Sequence, residues 1–340
     1  MGGNALKDCV TRRYNADEYF ILEEDVLKKL RSLFPFPEIT PTKSYKNKPS
    51  YGDMDILIDS EFMTEYMIIS ILDEFQPKQM FKNGNCLSFE YKEFQIDLIA
   101  CGKDYKTSQD YFAYNDLGNL CGRIAHSMGL KLGHDGLSYN FKFNNDTYLF
   151  KNVLLLTEWE DILPVLGLSY ERYAQGFAEM EDIFKFVVSS RFFNKHIFAL
   201  ENRNHTSRVR DAKRKTYTEF LAYIKPMAEH PLAQAIVMGK EAYLPYLKAY
   251  IYNFTKVYNE NMYAYEDECK FKLLYNGDRV SKLTGLVNKE LGKFMQWVKQ
   301  YYGATLQRDI LHMNPDCINS WITHMYKKYS NTLDIVDFRA

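Results

Sequence analysis

The sequence lacks a long hydrophobic run. No uninterrupted apolar stretch approaches the roughly 20 residues that cross a bilayer, and the N-terminus lacks the apolar segment of a signal peptide. The cysteines are scattered, with no Cys-x-x-Cys pair and no histidine spacing typical of a zinc site. Isolated thiols of this kind are typical of reduced intracellular proteins. We therefore expect a cytoplasmic protein with no membrane partner.

The sequence also has little net charge. Its 43 Lys and Arg face 44 Asp and Glu, which gives a formal net charge of −1. Without a global positive field, any nucleic-acid partner must be met by a local basic patch. The densest basic run contains Arg208, Arg210, Lys213, Arg214 and Lys215. Such a run either neutralises phosphates or forms an ordinary solvated face, and both interpretations stay open.

Two carboxylates alternate with apolar residues in the stretch Gly52-Asp-Met-Asp-Ile-Leu-Ile58. Strand alternation places Asp53 and Asp55 on one face, where two neighbouring anions repel each other. A shared divalent cation relieves this repulsion, and magnesium and manganese prefer such oxygen ligands. The alternative is an ordinary turn followed by the start of a strand, where Asp is common.

A second apolar stretch, residues 93–99, carries Asp97 between Ile96 and Leu98. An acid in such surroundings is costly unless it is paired or bound to metal. Upstream, Ser44 lies among lysines in a segment that could hold phosphate. Together, the acids and the phosphate-holding turn predict a two-metal site for phosphoryl or nucleotidyl transfer.

The segment from Ser44 to Ile58 resembles the signature of the polymerase-beta-type nucleotidyltransferases. Its Gly-Asp-Met-Asp run followed by aliphatic residues is similar to that of the family X DNA polymerases. The resemblance ends near Tyr139 and so covers roughly 100 residues of the first half. Beyond the first two acids it is carried by Asp97, Tyr111-Phe112, Asp116, Asn119 and Arg123.

This resemblance implies a catalytic and metal-binding triad of Asp53, Asp55 and Asp97 that holds two Mg²⁺ or Mn²⁺ ions. The implied reaction adds an NTP or dNTP to the 3′-hydroxyl of a nucleic acid, DNA rather than RNA. The implied nucleotide-binding residues are Ser44, Lys46, Gly52, Tyr111, Phe112, Asp116 and Asn119. The expected nucleic-acid contacts are Arg123, by resemblance, and the basic residues Arg208, Arg210, Lys213 and Arg214.

The chain departs from this family at two places. Lys43-Ser44 stands where the family has Gly-Ser, and Asn47 stands where a second cation is common, so Lys48 is a candidate to compensate. Ala113-Tyr114 replaces a small pair that ends in Gly, which bears on sugar selection. The segment before the predicted sheet is short, so we expect the N-terminal helical domain of such polymerases to be absent.

The pattern predicts an α+β fold: a palm-like mixed sheet with flanking helices, followed by a mostly helical C-terminal half. We expect a nucleotidyltransferase palm and nucleotide-binding region at 1–156 and a helical region that binds nucleic acid or another partner at 157–340, with a softer boundary near 228. Helices are predicted from Asn15 to Phe34, from a cap at Ser60, and from Asn115 to Leu132. Hairpins are predicted at 87–100 and at 137–155.

Other activities stay open at this point. Residues 277–299 resemble a small helical element of tRNA nucleotidyltransferases and poly(A)-adding enzymes, which favours template-independent transfer to RNA. A helix-turn-helix packed for core reasons explains the same residues. Transfer of a nucleotide to a protein or small molecule is a further alternative, and a binding module with a degenerate site is the non-enzymatic one.

Overall fold

The structure is a computed structural model, and it describes residues 5–141, 151–227 and 240–337. It has an α+β fold, with a mixed five-stranded sheet in the N-terminal half and a mostly helical C-terminal half. The chain divides into two compact units, Met1–Tyr252 and Asn253–Ala340. The functional division expected at residue 156 falls within the first unit and stays a prediction.

The elements are numbered here in chain order within the described ranges. The strands are β1 (Tyr14–Asn15), β2 (Ile39–Pro41), β3 (Ser50–Tyr51), β4 (Asp53–Ile58), β5 (Met80–Asn83), β6 (Cys86–Tyr91), β7 (Phe94–Ala100), β8 (Leu130–Gly133), β9 (Gly136–Phe141) and β10 (Lys151–Leu156). The α-helices of the first unit are α1 (Ala16–Leu33), α2 (Glu65–Phe75), α3 (Tyr105–Phe112), α4 (Leu117–Ser127), α5 (Trp159–Val165), α6 (Tyr170–Ala174), α7 (Met180–Val188), α8 (His205–Ala212), α9 (Lys215–Ile224) and α10 (Leu244–Tyr250). Those of the second unit are α11 (Phe254–Leu274), α12 (Gly277–Thr284), α13 (Asn288–Tyr302), α14 (Leu306–His312) and α15 (Ile318–Asp337).

Helix α1 begins where its sequence predicts. The Asn15 side chain accepts a hydrogen bond from the Glu18 amide at 2.9 Å, and the Glu18 carboxylate accepts one from the Asn15 amide at 3.0 Å. This reciprocal capping box satisfies two amides that the first helical turn leaves unpaired. The apolar face of the helix then buries Leu22, Val26 and Leu30 against the sheet.

The five-stranded sheet has the order β2-β4-β7-β6-β5. Strands β4 and β7 are parallel, whereas the other neighbouring pairs are antiparallel. Met54, Ile56 and Ile58 belong to the core that includes α1 and α2. Because side chains alternate along a strand, Asp53 and Asp55 lie on the opposite face of the sheet. The predicted β6–β7 hairpin is confirmed.

Several predicted boundaries are wrong. Helix α2 is capped by Thr64, whose hydroxyl accepts from the Met67 amide, and not by Ser60. Helix α4 ends at Ser127, because Gly129 adopts φ +83° and the chain then enters β8. Strand β9 pairs with β10 as predicted, but the turn expected at residues 144–146 lies outside the described residues.

The second unit has its own hydrophobic core. Val280, Phe294, Val298, Ile310 and Ile322 are fully buried there and come from α12, α13, α14 and α15. Among the described residues, no helix combines the length and the apolar character that crossing a membrane requires.

Candidate metal and nucleotide site

The three predicted acids meet on one face of the sheet. Parallel pairing of β4 with β7 sets Asp55 directly opposite Asp97, and Asp53 opposite Gln95. One carboxylate oxygen from each of Asp53, Asp55 and Asp97 lies within 4.8 Å of the others. Asp97 is 9% exposed, and the other two acids are half-buried. Three hard oxygen donors at this spacing suit a divalent cation such as magnesium or manganese.

Burial and mutual repulsion disfavour the ionised forms of two of these acids. Burial raises the pKa of Asp55 well above its ordinary value, and repulsion from Asp53 and Asp97 raises it further. Burial also raises the pKa of Asp97 to about 6, although hydrogen bonds from Ser88 and Gln95 oppose the shift. The Gln95 amide donates to both Asp97 oxygens, at 3.0 and 2.9 Å. A bound cation would offset the repulsion, so the donor set fits a metal site.

Lys48 supplies a positive charge beside this acid cluster. Burial lowers the pKa of its ammonium group, while the charges of Asp53 and Asp55 oppose that shift. Its Nζ donates to Asn115 Oδ1 at 3.2 Å and lies 4.4 Å from the centre of the Tyr51 ring. The sequence identified Lys48 only as a substitute for a missing family cation. Its burial beside the acids follows from the fold.

The phosphate-holding turn predicted around Ser44 is fixed by backbone hydrogen bonds. The Lys46 amide donates to the Phe177 carbonyl at 2.9 Å, and the Tyr114 amide donates to the Lys43 carbonyl at 2.7 Å. Ser44 Oγ lies 3.5 Å from Lys48 Nζ and is thereby linked to the acid cluster. The Lys46 side chain is exposed, and Gly52 is half-buried directly before β4.

The aromatic pair Tyr111-Phe112 forms the C-terminal end of helix α3. Phe112 packs against the cluster formed by Leu57, Cys101 and Tyr105. Leu57 alternates with Asp55 on the same face of β4, so Phe112 lies on the acid-bearing side of the sheet. Tyr111 approaches Gly118 so closely that a Cβ there would lie 2.3 Å from the Tyr111 carbonyl oxygen. Glycine at position 118 is therefore required to hold this pair against α4.

The two residues expected to contact the base are both held by the basic run. Arg214 forms an ion pair with Asp116, and Arg210 donates to Asn119 Oδ1 at 3.3 Å. The sequence placed these arginines with the nucleic-acid contacts and gave no sign of this pairing. Arg208 and Lys213 are exposed. Their role toward nucleic acid stays a prediction.

Arg123 lies on α4 four residues after Asn119, as expected, but it is only 9% exposed. Its guanidinium donates to the Ile197 carbonyl through Nε at 3.0 Å and through Nη2 at 2.5 Å. In this arrangement the side chain ties α4 to the segment before α8. A contact between Arg123 and a template strand stays a prediction.

No known protein-family model matches the chain, and no curated protein matches it either. The geometry alone therefore establishes a mixed sheet with one parallel pair that carries a three-aspartate group able to hold metal.

Proposed function

We propose that the protein is a metal-dependent nucleotidyltransferase that adds an NTP or dNTP to the 3′-hydroxyl of a nucleic acid. The observation that carries this proposal is the convergence of Asp53, Asp55 and Asp97 within 4.8 Å on adjacent parallel strands. Two divalent cations bound there would lower the pKa of the acceptor hydroxyl and neutralise the triphosphate. The resemblance to family X DNA polymerases supports DNA as the acceptor.

The surrounding residues support the same assignment. Lys48 and Ser44 lie together beside the acids and offer a cation and a hydroxyl to phosphate oxygens. Phe112 presents an apolar surface on the acid-bearing side of the sheet, where a sugar would pack. Phosphoryl chemistry depends mainly on positioning and charge stabilisation, and this set of residues supplies both.

The deciding experiment offers the whole chain of 340 residues labelled dNTP or NTP together with one of four acceptors. Labelled dNTP or NTP is incubated with primed DNA, blunt DNA, tRNA or protein alone, with Mg²⁺ or Mn²⁺. We expect extension of primed DNA that Asp55→Asn abolishes. Label on tRNA would instead support a template-independent RNA nucleotidyltransferase, and label on polypeptide would support transfer to protein. Absence of labelled product with every acceptor would refute the proposal.

A matched control comes from the first unit itself. Asp59→Asn removes a carboxylate just beyond the end of β4, where the side chain is exposed. This variant keeps the three acids and should transfer nucleotide at the wild-type rate. If Asp59→Asn and Asp55→Asn lose activity equally, the effect is one of general charge and not of the acid cluster.

A further inference from the structure

Helices α12 and α13 of the second unit are joined by a short, ordered turn. Helix α12 ends at Thr284 and is capped by Gly285, which adopts φ +75° and donates its amide to the Ser281 carbonyl at 2.8 Å. The Thr284 hydroxyl donates to the Val280 carbonyl at 2.8 Å and accepts from the Leu286 amide at 3.3 Å. Helix α13 then begins at Asn288. Two helices joined by a three-residue turn that contains Gly form a helix-turn-helix.

The inner faces of both helices are fixed in one core. Val280, Phe294 and Val298 are fully buried, and Leu286 and Leu291 pack partly buried against the same cluster. The opposite face of α13 is therefore held at the surface in a defined orientation.

The outer face of α13 carries side chains of the types that contact phosphates and base edges in nucleic acids. Lys289, Lys293, Gln296 and Gln300 are all exposed and follow one another at helical spacing, so they form one stripe. Lysine contacts phosphates and guanine, and glutamine pairs with the adenine edge in the major groove. The two helices together carry five cations, Arg279, Lys282, Lys289, Lys293 and Lys299, against the acids Asp278 and Glu290. This excess contrasts with the net charge of −1 for the whole chain.

Gly292 lies within this outer face. It is exposed, and a Cβ built there would meet nothing within 4 Å. Glycine is unfavourable in the interior of an exposed helix, and packing among the described residues gives no reason for it here. A partner whose backbone approaches the helix closely does give a reason.

We infer that α12 and α13 bind duplex DNA, with α13 lying in the major groove. Lys289 contacts a phosphate, Lys293 exchanges its 2.8 Å ion pair with the exposed Glu290 for a second phosphate, and Gln296 faces the base edges. This binding lies outside the acid cluster and does not depend on nucleotidyl transfer.

The test measures binding of the whole 340-residue chain to a labelled DNA duplex of about 20 base pairs, which is two helical turns, closed by a loop at each end. This probe has no 3′-hydroxyl, so it does not report on an acceptor site. Replacing Lys289 and Lys293 with Gln should weaken binding and reduce the slope of log affinity against log salt by about two units. The matched control replaces Lys256 and Lys270 on α11, whose side chains are 73% and 63% exposed, and should leave the slope unchanged.

A second variant removes no charge. The added side chain of Gly292→Tyr has room in the folded protein, but its ring should block the close approach of DNA to α13 and so abolish duplex binding. Thermal unfolding monitored by circular dichroism checks that the variant is folded. Unchanged duplex affinity in Gly292→Tyr and in the double lysine variant overturns the inference. The inference is also overturned if the chain binds single-stranded RNA more tightly than the duplex and the variants weaken only the RNA binding. A chain that binds the closed duplex but transfers no nucleotide supports this inference and counts against the proposed function.

Discussion

At the scale of single residues, the site depends on how three carboxylates share one small volume. Asp55 and Asp97 face each other across a parallel strand pair, and Asp53 lies one alternation away on the same face. Burial, and then repulsion from the neighbouring acids, raises the pKa of Asp55 and of Asp97. The acids differ in their surroundings, because Gln95 and Ser88 hydrogen-bond Asp97 while Lys48 lies near Asp53 and Asp55.

This difference predicts different effects of substitution. Asp97→Asn should bind magnesium-nucleotide with near wild-type affinity yet lose turnover by several orders of magnitude, because its proposed role is toward the acceptor hydroxyl. Asp55→Asn should lose both, since Asp55 is proposed to serve nucleotide binding as well. Calorimetric nucleotide titration and single-turnover incorporation measure the two effects. Substantial turnover by Asp97→Asn would make Asp97 a buried structural acid.

The raised pKa of Asp97 also predicts a pH dependence. In the cation-free protein its carboxyl keeps a proton up to about pH 6, whereas the unfolded chain releases it near pH 4. The native state then binds more protons in this window, so the free energy of unfolding should fall as pH rises from about 4 to 6. Cation affinity should rise over the same range, because the metal binds the carboxylate.

Urea unfolding in EDTA at several pH values tests this dependence. Asp97→Asn cannot titrate at this position, so its free energy of unfolding should fall less between about pH 4 and 6 than that of the wild type. Identical pH profiles for the two proteins would show that Asp97 does not carry the shifted proton.

At the scale of elements, α8 is fixed by a buried ion pair. The Asp211 side chain is fully buried and lies 2.7 Å from Nη2 of Arg203, which is itself 5% exposed. Arg203 also donates to the Tyr217 hydroxyl at 3.1 Å, so the pair joins α8 to α9. Through this anchor the basic run is placed where Arg210 and Arg214 reach α4.

Removing only one partner of this ion pair should lower the free energy of unfolding. Asp211→Leu leaves an uncompensated buried guanidinium and should reduce the free energy of unfolding by about 3–5 kcal/mol. Adding Arg203→Met to that variant should recover most of the loss, because neither buried charge then remains. Urea unfolding of the single and double variants measures both values. A single variant as stable as the wild type would contradict a buried, dry pair.

At the scale of the whole molecule, the chain has two units with separate cores. The first contains the acid cluster in its sheet, and the second contains the core of α12, α13 and α15. A ligand that binds the native state of one unit stabilises that unit by mass action. The two units should therefore respond differently to a divalent cation.

Hydrogen exchange with and without Mn²⁺ tests this expectation. At a cation concentration of about 100 times Kd, the gain is about 2.7 kcal/mol, so amides in β4 and β7 that exchange through unfolding should slow about a hundredfold. Amides in α13 and α15 should be unaffected, and Asp55→Asn should remove the effect. Equal slowing in both units would show that the cation acts elsewhere or that the units unfold together.

The sequence by itself determined the features that depend on neighbours in the chain. Strand alternation predicted that Asp53 and Asp55 share a face, and the hydrogen-bonding chemistry of Asn15 predicted where α1 begins. The β6–β7 hairpin was equally local, since its strands are separated only by Lys92 and Glu93. The sequence also predicted which acids form the cluster, because an acid such as Asp97 in an apolar strand needs a charged partner or a metal.

Only the tertiary structure decided which distant groups meet. Arg214 reaches Asp116 across 98 residues, and Lys48 reaches Asn115 across 67. No local propensity encodes such contacts, because they depend on how whole elements pack and on which charges the packing excludes from water. The same packing buries Arg123 against the Ile197 carbonyl, although its helical position suits a surface contact equally well. The sequence therefore specified the chemistry of the acids, whereas the tertiary contacts of Arg210 with Asn119 and of Arg214 with Asp116 specified the surroundings of the predicted base-contacting residues.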